Sequence, residues 1–118
     1  MNSGGYRDLE VWQKGMALCV EVYGATRHLP ADERFGLTNQ MRRAAVSVPS
    51  NIAEGYGRKS DGDLRRHLQI ARGSVAELET QLRLCRDLGY CADEVLTSSL
   101  RECDEVSRML LAFIKRLQ

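Results

Sequence analysis

The chain has 118 residues, 43% hydrophobic and 28% charged, with a net charge of +1. That is enough for one domain with a modest core, and too apolar and evenly charged for a disordered chain. Two prolines and 6% aromatic residues are too few for a β-sandwich, which needs turn signals every few residues. No apolar run approaches the roughly 18 residues of a membrane span, and the opening MNSGGYRDLE carries no apolar stretch of a secretory leader. A cytoplasmic protein with no membrane partner and no cofactor is therefore expected.

The first helix is expected over about 8–29. Leu9, Trp12, Met16, Cys19 and Tyr23 step by threes and fours, the spacing of one helix face, and Pro30 stops it because the residue before a proline avoids the α region. The second, about 37–56, carries the stripe Leu37, Met41, Ala45, Val48, Ile52 and Tyr56, with Pro49 inside it. Proline removes a donor and clashes with the carbonyl four residues back. The stripe continues in phase across Pro49, which predicts one kinked helix rather than a break.

The third helix, about 61–88, has an unbroken seam of Leu64, Leu68, Ala71, Val75, Leu78, Leu82 and Cys85. Ser60 followed by Asp63 resembles a capping box, and Gly89 suits the position after the last turn. The fourth, about 93–117, repeats Leu96, Cys103, Leu110 and Leu117 at seven. Its apolar arc covers roughly 200°, about twice what one bundle core needs. The excess predicts a second buried contact, with Met109 and Phe113 as candidate oligomer-interface residues. Four helices, short connections and no strand pattern give an all-α, antiparallel up-down-up-down four-helix bundle in a single domain, 1–118. Its expected core includes Trp12, Met16, Val48, Ile52, Leu68, Val75, Leu78, Leu82, Leu100, Leu110 and Ile114.

Charge is unevenly placed along the chain. Residues 42–72 hold seven basic side chains (Arg42, Arg43, Arg58, Lys59, Arg65, Arg66 and Arg72) against three acidic ones. Residues 73–105 hold eight acids against three arginines. The seven are candidates for a nucleic-acid surface, since arginine's planar fork suits phosphate; the alternative is a solvated face with i,i+4 pairs such as Glu54 with Arg58. Ser47, Ser50, Asn51, Glu54, Arg43 and Arg58 share an arc of about 100° on the second helix. Two readings stand: serines re-satisfying backbone near Pro49, or a polar groove with Ser47, Asn51 and Glu54 as candidate contacts.

Catalysis has little support. No Glu-x-x-His pair exists for a di-iron bundle site, and no phosphate-binding glycine loop follows a strand. Cys19, Cys85, Cys91 and Cys103 form no C-x-x-C pair. They read as reduced thiols, the alternative being a Cys85–Cys91 bridge. No metal is expected.

Three blocks carry a family resemblance: Tyr6 to Lys14; Gly36 to Gly55, containing Ser47-Val48-Pro49-Ser50-Asn51-Ile52-Ala53-Glu54; and Gly73 to Leu82. With them the chain resembles the bacterial 23S rRNA intervening-sequence proteins, and is similar to the accessory variability determinant of diversity-generating retroelements. The resemblance implies a four-helix bundle assembled as a homopentamer. The retroelement relatives further imply RNA or DNA and a reverse transcriptase, or another protein, as partners. The matching basic positions are Arg42, Arg43, Arg58, Lys59 and Arg66. Those relatives are strongly basic and this chain is not, so a local patch multiplied by a ring is the expected route to binding. A nucleic-acid-associated accessory or scaffold protein is expected, and not an enzyme. The alternative is a protein-only scaffold or adaptor ring that binds a partner protein through the polar groove of the second helix.

Overall fold

The computed structural model describes residues 5–118. A 3-10 turn, Gly5–Asp8, leads into α1, Glu10–Thr26; a second such turn, Ala31–Glu33, precedes α2, Leu37–Gly57; α3 is Asp61–Asp87 and α4 is Asp93–Arg116. Helix α3 alone is about 40 Å long at 1.5 Å per residue, and the molecule measures 46 × 22 × 22 Å, so every connection turns the chain back. Cross-helix contacts give the direction. Met41 meets Cys85, Ser47 meets Ser74, and Gly55 lies over His67, so α2 and α3 run antiparallel. Arg72 reaches Ser107 and Arg65 reaches Leu117, which sets α4 antiparallel to α3. Glu21 with Ser99 and Lys14 with Glu105 close the ring between α1 and α4. The four helices form one bundle around one core.

The ends obey local chemistry. Ser60 is the N-cap of α3, its Oγ accepting from Asp63 N at 3.1 Å. At the other end Tyr90 N donates to Cys85 O and Gly89 N to Arg86 O, with Gly89 at φ +76°; this is a Schellman motif, and glycine carries the left-handed residue without strain. Glu33 does two jobs: Oε1 accepts from Leu37 N at 3.0 Å, capping α2, and Oε2 accepts from Tyr90 OH at 3.2 Å. Helix α2 runs unbroken through Pro49, which is buried with Val48.

Two expectations are corrected. Helix α1 ends at Thr26, short of 29, with His28 and Leu29 in a looser turn closed by Leu29 N to Thr26 O. Its buried face is Val11, Gly15, Leu18, Val22 and Thr26, one position away from the stripe of Trp12 and Met16. Gly15 faces α2, where an added Cβ would be in ordinary contact with Val48 Cγ1 at 3.4 Å. Trp12 is left half-buried and Met16 is 41% exposed; Leu100 is half-buried too, while the other expected core residues are buried. The broad arc of α4 is used within the chain, because α4 packs on both α3 and α1. Phe113 is buried and Met109 half-buried, and both border the start of α1 beside Leu9 and Val11. Among the described residues no helix is long and apolar enough to cross a membrane.

Candidate functional site

The bundle divides the seven basic candidates. Arg42 and Arg43 lie in the second turn of α2, some 15 residues and about 22 Å along the axis from Arg58. Arg42 is a staple: its Nε donates to Thr26 Oγ1 at 2.8 Å and its guanidinium stacks on Tyr23 at 4.6 Å. A cation there also faces the carbonyl end of α1. Arg72 donates to Ser107 Oγ at 3.3 Å, and Arg65 donates to Leu117 O at 3.0 Å at the end of α4. Arg58 pairs with Glu54 at 2.8 Å. Three remain exposed and make no ion pair or hydrogen bond among the described residues: Arg43, Lys59 and Arg66. Lys59 and Arg66 stand at the α2–α3 turn. The antiparallel fold brings to that same end Lys115 and Arg116, which close α4 and which the sequence pattern alone did not join to the basic segment.

The polar candidates of α2 are tied down within the chain. Asn51 Nδ2 donates to Ser47 O at 2.8 Å and to Ser47 Oγ at 2.9 Å. Glu54 accepts from Arg58, and its Oε2 lies 3.6 Å from His67 Nε2. Arg58 first, and His67 after it, hold the Glu54 carboxyl below the ordinary carboxylate range. His67 is buried, with Nδ1 at 2.9 Å from Asp63 O, and it fits only because residue 55 is glycine: a Cβ there would lie 2.6 Å from His67 Cβ.

Sequence reading followed the apolar seam of α3 and missed a polar file beside it. His67, Ser74 and Gln81 recur at seven, all more than nine-tenths buried. Ser74 Oγ donates to Ser47 Oγ at 2.9 Å; Gln81 Oε1 is buried with no partner. The signal was present as a heptad of polar residues one step before the apolar one. Of the α1 stripe read as core, Leu9, Trp12 and Cys19 are half-buried against the core, while Met16 and Tyr23 are exposed, with Val20 exposed by 70% and Val46 of α2 beside Tyr23.

The thiols are all free. Burial pushes Cys85 up to about 11 and Cys103 up to about 12, and raises Cys19 and Cys91 too. At neutral pH they are protonated, which is poor chemistry for a nucleophile. Among the described residues no group of three or more His, Cys, Asp and Glu side chains is placed to hold a metal ion.

The model of the 23S rRNA-intervening sequence protein family matches residues 7–112. No curated protein matches the chain. A crystal structure from Bacteroides thetaiotaomicron VPI-5482, described as a protein of unknown function from the S23 ribosomal protein family, is 25% identical with a TM-score of 0.83; the match covers 89% of this chain and 95% of that one.

Proposed function

The chain belongs to the 23S rRNA-intervening sequence protein family, and from that premise we propose that it is a non-enzymatic, oligomeric accessory protein of the cytoplasm that associates with nucleic acid. The observation that carries the reading is that one end of the bundle holds Lys59, Arg66 and Lys115, all exposed and with their cationic groups unpaired among the described residues. Unpaired cations at a rigid end can release counterions from a phosphate backbone without first breaking internal bonds. Oligomerisation supplies what a net charge of +1 does not, since each added subunit repeats the patch. The exposed apolar face of α1, with Met16, Val20 and Tyr23, supports a subunit contact there better than Phe113, which is buried, and Met109, which is half-buried. The protein-only reading through Ser47, Asn51 and Glu54 has less support, because those side chains are bonded internally.

The test is binding of labelled RNA, single-stranded DNA and duplex DNA at low and high salt, with mass measured in solution. Binding should weaken steeply with salt and be lost in the Lys59→Ala, Arg66→Ala, Lys115→Ala triple variant while the circular dichroism spectrum is kept. Absence of binding at low salt, or equal binding by the triple variant, overturns the reading.

A further inference from the structure

A cleft of about 310 Å³ opens between α2 and α3, lined on the α2 side by Asn39, Arg43 and Ser47 and on the α3 side by Ser74 and Glu77. It lies near the opposite end of α2 from Lys59 and Arg66. Its two walls carry opposite charges, Arg43 on α2 and Glu77 on α3. Ser47 Oγ accepts from Asn51 Nδ2 and from Ser74 Oγ, each at 2.9 Å. Both lone pairs are thereby occupied, so the hydroxyl proton is what Ser47 has left to offer, and it has no acceptor among the described residues. The Arg43 guanidinium and the Asn39 amide also make no hydrogen bond there. The α2 wall therefore offers unused donors on Arg43 and Ser47, beside an Asn39 amide that carries both a donor and an acceptor.

The α3 wall offers a carboxylate. Glu77 is exposed and accepts only a 3.4 Å bond from Gln81 Nε2.

We propose that this cleft binds a free α-amino acid, with the carboxylate on Arg43 and the Ser47 hydroxyl and the ammonium group on Glu77. A zwitterionic headgroup answers both walls at once. A phosphate would meet Glu77 as a like charge, and an isolated carboxylate would leave Glu77 unanswered. The volume leaves room for a side chain beyond the headgroup. The inference does not rest on nucleic-acid binding, since Lys59, Arg66 and Lys115 take no part in it.

The experiment is a titration of the ¹⁵N-labelled full chain, followed by backbone and arginine side-chain resonances, with glycine, a panel of larger amino acids, acetate, methylammonium and inorganic phosphate. Glycine or a larger amino acid should shift residues 43, 47, 74 and 77. Acetate and methylammonium, each offering half of the headgroup, should bind at least about tenfold more weakly. Arg43→Gln and Glu77→Gln should each weaken amino-acid binding about tenfold, in variants whose remaining spectrum is unchanged. No shift with any amino acid overturns the proposal. So does acetate or phosphate binding as well as glycine, which would leave an anion site only, and so does unchanged amino-acid binding by either variant.

Discussion

Glu102 and Glu21 approach across the α1–α4 seam, where Glu21 also accepts from buried Ser99 at 2.7 Å. The hydrogen bond with Glu21 first, then burial, then the negative charges of Glu21 and Glu105 push the Glu102 carboxyl up to about 7, with Lys14 acting against them. Its ordinary value is 4.5, so ionising it is harder in the folded chain than in the unfolded one. This contribution to stability is therefore present below about 4.5, falls as pH rises to about 7, and is flat above that. The melting temperature should be higher at pH about 5 than at about 8, and Glu102→Gln should remove part of that slope; an equal slope in the variant would contradict the assignment. Nothing in the sequence marked Glu102, because its meaning comes from Glu21, 81 positions away. Ser60 was legible for the opposite reason: its partner is the amide of Asp63, three residues on.

Helix existence, order and approximate ends could be read from apolar spacing, because each is set by the chain's own neighbours. Helix rotation could not always be read. On α1 two stripes compete, one of large side chains from Leu9 to Tyr23 and one of Val11, Gly15, Leu18 and Val22. Side-chain size favours the first, yet the second is the one buried, with Leu9, Trp12 and Cys19 packed on the core from its edge. Close backbone approach governs the α2–α3 seam at Gly55. There Gly55→Ala would set a methyl group 2.6 Å from His67 Cβ, a rigid part of that side chain, so the helices must part locally. A loss of about 1–3 kcal/mol is expected in urea denaturation; a variant as stable as the parent would show that the seam yields easily. The candidate basic surface was legible as a list of residues but not as a surface, since Arg42, Arg65 and Arg72 are held by other helices through bonds of long sequence separation.

For the whole molecule, two substitutions would separate folding from the proposed assembly. Phe113 is 9% exposed inside the chain, so Phe113→Asp should lower unfolding stability by roughly 3 kcal/mol or more. Val20 is 70% exposed, so Val20→Asp should change stability by no more than about 0.5 kcal/mol while reducing the mass found by light scattering to that of one chain. A Val20→Asp protein of unchanged assembled mass would place the subunit contact elsewhere. The polar file of α3 bears on a different matter, which is how the bundle avoids wrong alignments. If α3 slid by seven residues along α2, leucine, valine and alanine would again meet leucine, valine and alanine, and apolar packing alone would scarcely object. His67, Ser74 and Gln81 are not interchangeable in that way. A slip would set Gln81 against Ser47, or bring Ser74 into the space beneath Gly55 that an imidazole fills. Ser74 on Ser47 and His67 under Gly55 therefore distinguish the observed alignment from one slipped by a heptad, which the apolar seam beside them does not.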